Sequence, residues 1–249
     1  MAIEAVIFDL YGTLVDIWTD EWDLSTYSIL SQFLGYFEIY YHPEELAAKY
    51  QEKTANQMLE HENPNGEIDV FRVFEEILAE GWRKQPERTH VVWVARLFRS
   101  LTRRRFNLFE DALPALEELN GSFQLGIVSD AQWVFSEPEI RILGLNRFFE
   151  TIVLSSRYFV RKPDPQIYAH ALKAMWLKPH QALFVGNDPH EDVAGPVALG
   201  MPVVLVDRPG SLNSPPVPII RDLRELPGFI QSNFTEAGPE GDPAPSDGG

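Results

Sequence analysis

The chain has 249 residues, 45% of them hydrophobic, which is enough for one large domain or for a core with a smaller inserted one. It contains no cysteine, which excludes disulfides, thiolate metal sites and a cysteine nucleophile. Its net charge of −16 argues against nucleic acid or an anionic membrane as partner, because a phosphate polymer needs a basic footprint.

The N-terminal segment has no basic start, and its apolar run from Ala5 to Phe8 is broken by Asp9. Neither a signal peptide nor a membrane span is expected there, and the chain reads as cytoplasmic. Ala5 to Asp9 is the first of five short β-rich runs, followed by Leu125 to Ser129, Thr151 to Leu154, Ala182 to Val185 and Val203 to Val206. Continuous apolar runs of this length suit strands buried on both faces.

Residues 10–124 are too many for one crossover helix, and helical spacing recurs within them at Tyr27 to Phe37, Pro43 to Glu60, Asp69 to Glu80 and Thr89 to Leu101. This predicts an inserted helical domain at residues 16–106, whose Trp, Tyr and Phe side chains form its own core. The run Arg103, Arg104, Arg105 at its end reads as a solvated hinge. Helical patterns follow at Ala112 to Leu119 and at Pro165 to Met175. Strands alternating with helices imply an α/β fold, an open parallel sheet with helices on both faces, built from residues 1–15 and 107–233. Residues 234–249 read as a disordered acidic tail, since from Thr235 onward no large apolar residue remains to order it.

In an open parallel sheet, ligands sit beyond the carboxyl ends of the strands. The first strand runs out into Asp9-Leu10-Tyr11-Gly12-Thr13 and the second into Ser129-Asp130. Lys162-Pro163-Asp164-Pro165 follows the third, and Asn187-Asp188-Pro189-His190-Glu191-Asp192 follows the fourth. Any one of these is commonly a cap or a turn former. In this order, each after a buried strand, they would bring a carboxylate, two hydroxyls, a lysine and an acidic cluster to one edge.

The set resembles the four motifs of the haloacid dehalogenase-like (HAD) superfamily over residues 1–15 and about 107–210, and the insert resembles the all-helical cap of one of its subclasses. The resemblance implies a hydrolase with Asp9 as nucleophile and Lys162 as the catalytic cation. Tyr11, Gly12, Thr13, Ser129, Asp130 and Asn187 would receive the substrate, a small phosphorylated molecule. Mg²⁺ would be held at Asp9, Tyr11, Asp188 and Asp192. A carboxylate so placed splits one hard displacement into two easier ones through a covalent ester. The metal ion and Lys162 would relieve its repulsion from a phosphate dianion, while Thr13, Ser129 and N–H groups near Tyr11 and Gly12 donate to the phosphoryl oxygens.

Two positions depart from the phosphatase pattern. Tyr11 stands where the superfamily's phosphatases carry a second Asp that protonates the leaving alcohol, and Asn187 stands where many relatives carry the first Asp of the acidic loop. Asp-Leu-Tyr-Gly-Thr is similar instead to the L-2-haloacid dehalogenases, where halide leaves without a proton and without a metal. Those enzymes use an arginine early in the cap, whereas no Arg precedes Arg72 here. A phosphatase-like hydrolase is therefore the main expectation, a dehalogenase the second, and a binding or regulatory module without turnover the third.

Overall fold

The computed structural model describes residues 2–213 and 215–234. In chain order the elements are β1 (Ala5–Phe8), β2 (Val15–Thr19), α1 (Leu24–Gly35), α2 (Pro43–Leu59), α3 (Val70–Trp82), α4 (Arg88–Thr102), β3 (Arg103–Leu108), α5 (Ala112–Leu119) and β4 (Gln124–Ser129). Then come α6 (Trp133–Ile142), β5 (Thr151–Leu154), α7 (Ser155–Tyr158), α8 (Pro165–Met175), β6 (Ala182–Gly186), α9 (Ala194–Leu199), β7 (Val203–Val206), β8 (Ile219–Ile220) and α10 (Leu226–Phe234). Phe234 thus closes a helix, and the rest of the expected tail lies outside the described residues.

Among the described residues the strands form a six-stranded parallel sheet in the order β5-β4-β1-β6-β7-β8. Every residue of β1 is buried, as its unbroken apolar sequence requires of a central strand. The sheet's two faces bury separate clusters. One gathers Val6, Phe8, Ile127 and Val185 against α5, the other Ala5, Ile7, Val128 and Phe184 against α8. From β1 the chain builds the sheet outward on one side through β4 and β5, then crosses back to β6 on the other side of β1, so the crevice at the switch point opens over the ends of β4, β1 and β6.

The inserted helices α1 to α4 pack around Tyr27, Tyr50, Phe74 and Phe98, with the Tyr50 and Phe98 ring centroids 4.7 Å apart. This apolar cluster continues into Trp133, Val134 and Phe135 of α6, so the cap rests on the core through shared burial. Cap and core are joined by a β2–β3 antiparallel pair that hydropathy did not predict, since VDIWT and RRRFNL lack a continuous apolar run. The three arginines expected to form a solvated hinge lie at the start of β3, and each meets a carboxylate: Arg103 meets Glu139 at 3.0 Å, Arg105 meets Asp16 at 3.0 Å, and Arg104 pairs with Asp23. Among the described residues no helix is long and apolar enough to cross a membrane.

Candidate active site

Asp9 follows β1 directly, and its backbone N–H continues the ladder by donating to Val185 O at 2.9 Å. The side chain is 3% exposed at the switch point. Its Oδ1 accepts from Ser129 Oγ at 3.0 Å and from Lys162 Nζ at 2.8 Å. Lys162 Nζ also donates to Asp192 Oδ1 at 2.6 Å, so one buried ammonium bridges two buried carboxylates. Burial pushes the Asp9 carboxyl up to about 6; Asp192 adds to the rise, and Lys162 and Ser129 oppose it. Burial alone would lower the Lys162 ammonium, but Asp9, Asp192 and Asp130 reverse the effect and hold it well above the usual lysine range. The trio thus sets one ammonium against two carboxyl groups.

The acidic loop folds back on itself. Asp192 Oδ2 accepts from the N–H groups of Asn187 and Asp188, both at 2.9 Å, so both of its oxygens are engaged. This return is open because residue 186 is glycine: a Cβ there would lie 2.3 Å from Asp192 Oδ2. Asp188 Oδ1 accepts from His190 N at 2.7 Å and from Glu191 N at 3.3 Å, and Oδ2 takes no part in that turn.

Other expected substrate contacts hold the loops together. Thr13 Oγ1 donates to Asn187 Oδ1 at 3.0 Å, and Gly12 N donates to Val15 O at 2.8 Å. Gly12 has φ +91°, and a Cβ there would lie 2.6 Å from Asn187 Oδ1, so this glycine lets the first and fourth loops touch. Asp130 Oδ1 accepts from the backbone N–H of Lys162 at 2.9 Å. Burial pushes the Asp130 carboxyl up to about 7, with Lys162 opposing and Glu191 and Glu67 reinforcing.

The Tyr11 side chain, expected near the metal, points instead to the junction of cap and core. Its hydroxyl donates to the buried Glu139 and receives the Ser136 hydroxyl at 2.8 Å. Arg99 of α4 binds Glu139 through Nε and Nη2 at 2.8 and 3.0 Å, and Arg103 adds a third ionic contact at 3.0 Å. Burial and the Glu139 carboxylate drive the Tyr11 phenol far above its ordinary range, so it cannot serve as a base at neutral pH. Removing one partner of a buried ion pair typically costs about 3–5 kcal/mol, because the other charge stays buried. Glu139→Ala strands the guanidinium of Arg99, whose side chain is 12% exposed. Its unfolding midpoint in urea is expected to fall accordingly.

Sequence reasoning missed Glu139, Arg99 and also Arg208, whose Nη2 donates to Thr13 O at 2.9 Å and to Asp111 Oδ1 at 2.8 Å and so braces the loop after β1 from behind. Between cap and core lies a cavity of about 230 Å³ whose lining includes Tyr11, Glu21, Glu67, Arg99, Asp130 and Gln132. A larger hollow of about 560 Å³ beside Glu137, Arg157 and Tyr158 contains none of the site residues.

An open parallel sheet carrying an aspartate–lysine pair at its switch point, beneath a helical cap, defines a capped α/β hydrolase. The chain belongs to the haloacid dehalogenase-like hydrolases, whose family description matches residues 3–200. It is 32% identical over 101 residues to glyceraldehyde 3-phosphate phosphatase of Methanopyrus kandleri, covering 40% of this chain and 43% of that one. It is 31% identical over 159 residues to phosphoserine phosphatase of Thermus thermophilus, covering 62% of each. The chain therefore spans less than two thirds of the length of these relatives. Its fold is similar to the crystal structure of a 2-haloacid dehalogenase from Pseudomonas syringae, with a TM-score of 0.63 at 22% identity over 94% of this chain and all of that one. At that identity the likeness shows the fold alone.

Proposed function

We propose that the protein is a phosphatase acting on a small phosphorylated molecule, with Asp9 as the nucleophile. The observation that carries this reading is the buried Asp9 carboxylate at the switch point, oriented on one oxygen by Lys162 and Ser129. The other oxygen, Oδ2, is left to attack phosphorus. The similarity to phosphatases in sequence supports the same direction.

The donor set suits a hard divalent cation. Asp188 Oδ2 lies outside the hydrogen bonds that fix its carboxylate, and Thr13 and Gly12 bring the nucleophile loop against the acidic loop. Mg²⁺ needs only one or two carboxylates beside water and substrate oxygens. Asp188 and the Asp9 carboxylate would hold it, whereas Asp192 is engaged on both oxygens and the Tyr11 side chain is bound to Glu139. When bound, the ion would polarise a phosphoryl oxygen. Lys162 fixes Asp9 and supplies positive charge, Ser129 orients the attacking carboxylate, and the cap covers the site.

A second reading, hydrolysis of a 2-haloacid, is favoured by Tyr11 and Asn187, because a halide needs no proton donor at the Tyr11 position. The two are separated by supplying p-nitrophenyl phosphate, acetyl phosphate and L-2-chloropropionate in Mg²⁺ and in EDTA. Phosphate release that disappears in EDTA is expected. Chloride release that persists in EDTA would transfer the assignment to the second reading.

A further inference from the structure

We infer that Asp130 is the general acid and base of the reaction, occupying the role that Tyr11 cannot fill. This rests on the phosphatase reading above. Tyr11 is closed off by Glu139 and Ser136, yet it shares the lining of the cap–core cavity with Asp130. Asp130 immediately follows Ser129, whose hydroxyl touches the nucleophile at 3.0 Å. It is held by the same residue that holds Asp9: Lys162 reaches Asp9 Oδ1 with its ammonium at 2.8 Å and Asp130 Oδ1 with its backbone N–H at 2.9 Å. One carboxyl oxygen is thereby anchored to the lysine that also holds the nucleophile, and Oδ2 is the atom left for proton transfer.

Two other carboxyls line the cavity, and neither is held by the lysine that holds Asp9. Glu67 accepts from Ser155 Oγ at 2.7 Å and from Ile68 N at 2.9 Å, and Glu21 accepts from Tyr50 OH at 3.2 Å. Neither stands on a strand-end loop of the core.

The protons and bonds balance. Asp9 Oδ2 forms a bond to phosphorus as the bond to the ester oxygen breaks, and protonated Asp130 delivers its proton to that oxygen, releasing the alcohol. The Asp130 carboxylate then takes a proton from water, the water oxygen bonds to phosphorus, and the bond from phosphorus to Asp9 breaks. Phosphate leaves and both carboxyls return to their starting states. The charged and titratable groups around Asp130 are Lys162, Glu191, Glu67 and Tyr168. Together with burial they place its carboxyl at about 7, where both forms coexist at neutral pH.

The test compares wild type and Asp130→Asn on glycerol phosphate, whose alkoxide needs a proton to leave, and on p-nitrophenyl phosphate, whose phenolate does not. Loss of a general acid typically costs about 10² to 10⁴-fold. In kcat/KM, which ends at release of the alcohol and so leaves out the later attack of water, the variant is expected to lose that much on glycerol phosphate and far less on p-nitrophenyl phosphate, and the wild-type fall in alkyl ester kcat/KM above about pH 7 should vanish. Because the two rates are compared within one sample, the fraction of folded protein cancels. If Asp130 only tethers Lys162, both rates fall by the same factor, and that result overturns the role while leaving the phosphatase reading intact. Absence of wild-type turnover on either ester would overturn both.

Discussion

Replacing Asp9 by Asn is expected to lower kcat by about 10⁴ to 10⁶-fold, the range seen when the nucleophile of a covalent mechanism is removed. The amide keeps the size of the side chain and an oxygen that accepts from Ser129 and Lys162, so the loops should stay in place. Lys162 retains Asp192 at 2.6 Å, which leaves no buried cation unpaired. The variant should therefore melt close to wild type while turnover disappears. Comparable loss of stability and activity would mean that Asp9 acts as a structural ion-pair partner only. The measurement is steady-state phosphate release beside a urea titration of the same preparation.

Lys162→Met is expected to cost about 3–5 kcal/mol of stability, by leaving buried charge unpaired. Asp9 and Asp192 have side chains no more than 4% exposed, and both meet the same ammonium. Without it the two carboxylates face each other with nothing between them. The loss should shrink as the pH is lowered toward 5, because a protonated Asp9 no longer repels Asp192. The sign for the wild type follows from the same carboxyl. Its pKa rises from 3.8 to about 6 on folding, so between these values the native state holds a proton that the unfolded chain has released. The Asp9 contribution to stability is complete below about pH 4 and is lost as the pH climbs through 6. Urea midpoints of wild type and variant between pH 4 and 8 check both statements. A deficit of the variant that does not change with pH would contradict the pairing.

How far the site was legible in the sequence depended on whether a residue's role is set by its own strand. Asp9, Ser129 and the loop of Asn187 to Asp192 stand at the ends of unbroken apolar strands, and the parallel sheet carries them to one edge whatever the loops do. The cap helices were visible because apolar residues recur at helical spacing around Tyr27, Tyr50 and Phe98. The β2–β3 pair was not visible, since its partners are far apart in sequence and each exposes polar residues. The engagement of both Asp192 oxygens depends on a loop return that a missing Cβ at Gly186 permits, and spacing does not encode that. Glu139 gave no local signal either. It lies within α6, and its buried contacts with Tyr11, Arg99 and Arg103 exist only once the cap is docked.

The Tyr11 cluster also bears on how the cap is held. Arg99 belongs to α4, Glu139 to α6 and Tyr11 to the loop after β1, so one buried network joins cap, core and the loop that carries Asp9. Weakening it should loosen both the cap and the loop, and the Glu139→Ala variant should lose turnover together with stability.

The most direct measurement is chemical trapping of the nucleophile. The protein is mixed with acetyl phosphate in Mg²⁺, quenched with borohydride during turnover, digested and read by mass spectrometry. A phosphorylated carboxylate is reduced to the alcohol, so residue 9 should be recovered as homoserine, and only when substrate is present. Recovery of unmodified aspartate at residue 9 while phosphate accumulates would contradict a covalent role for this carboxylate.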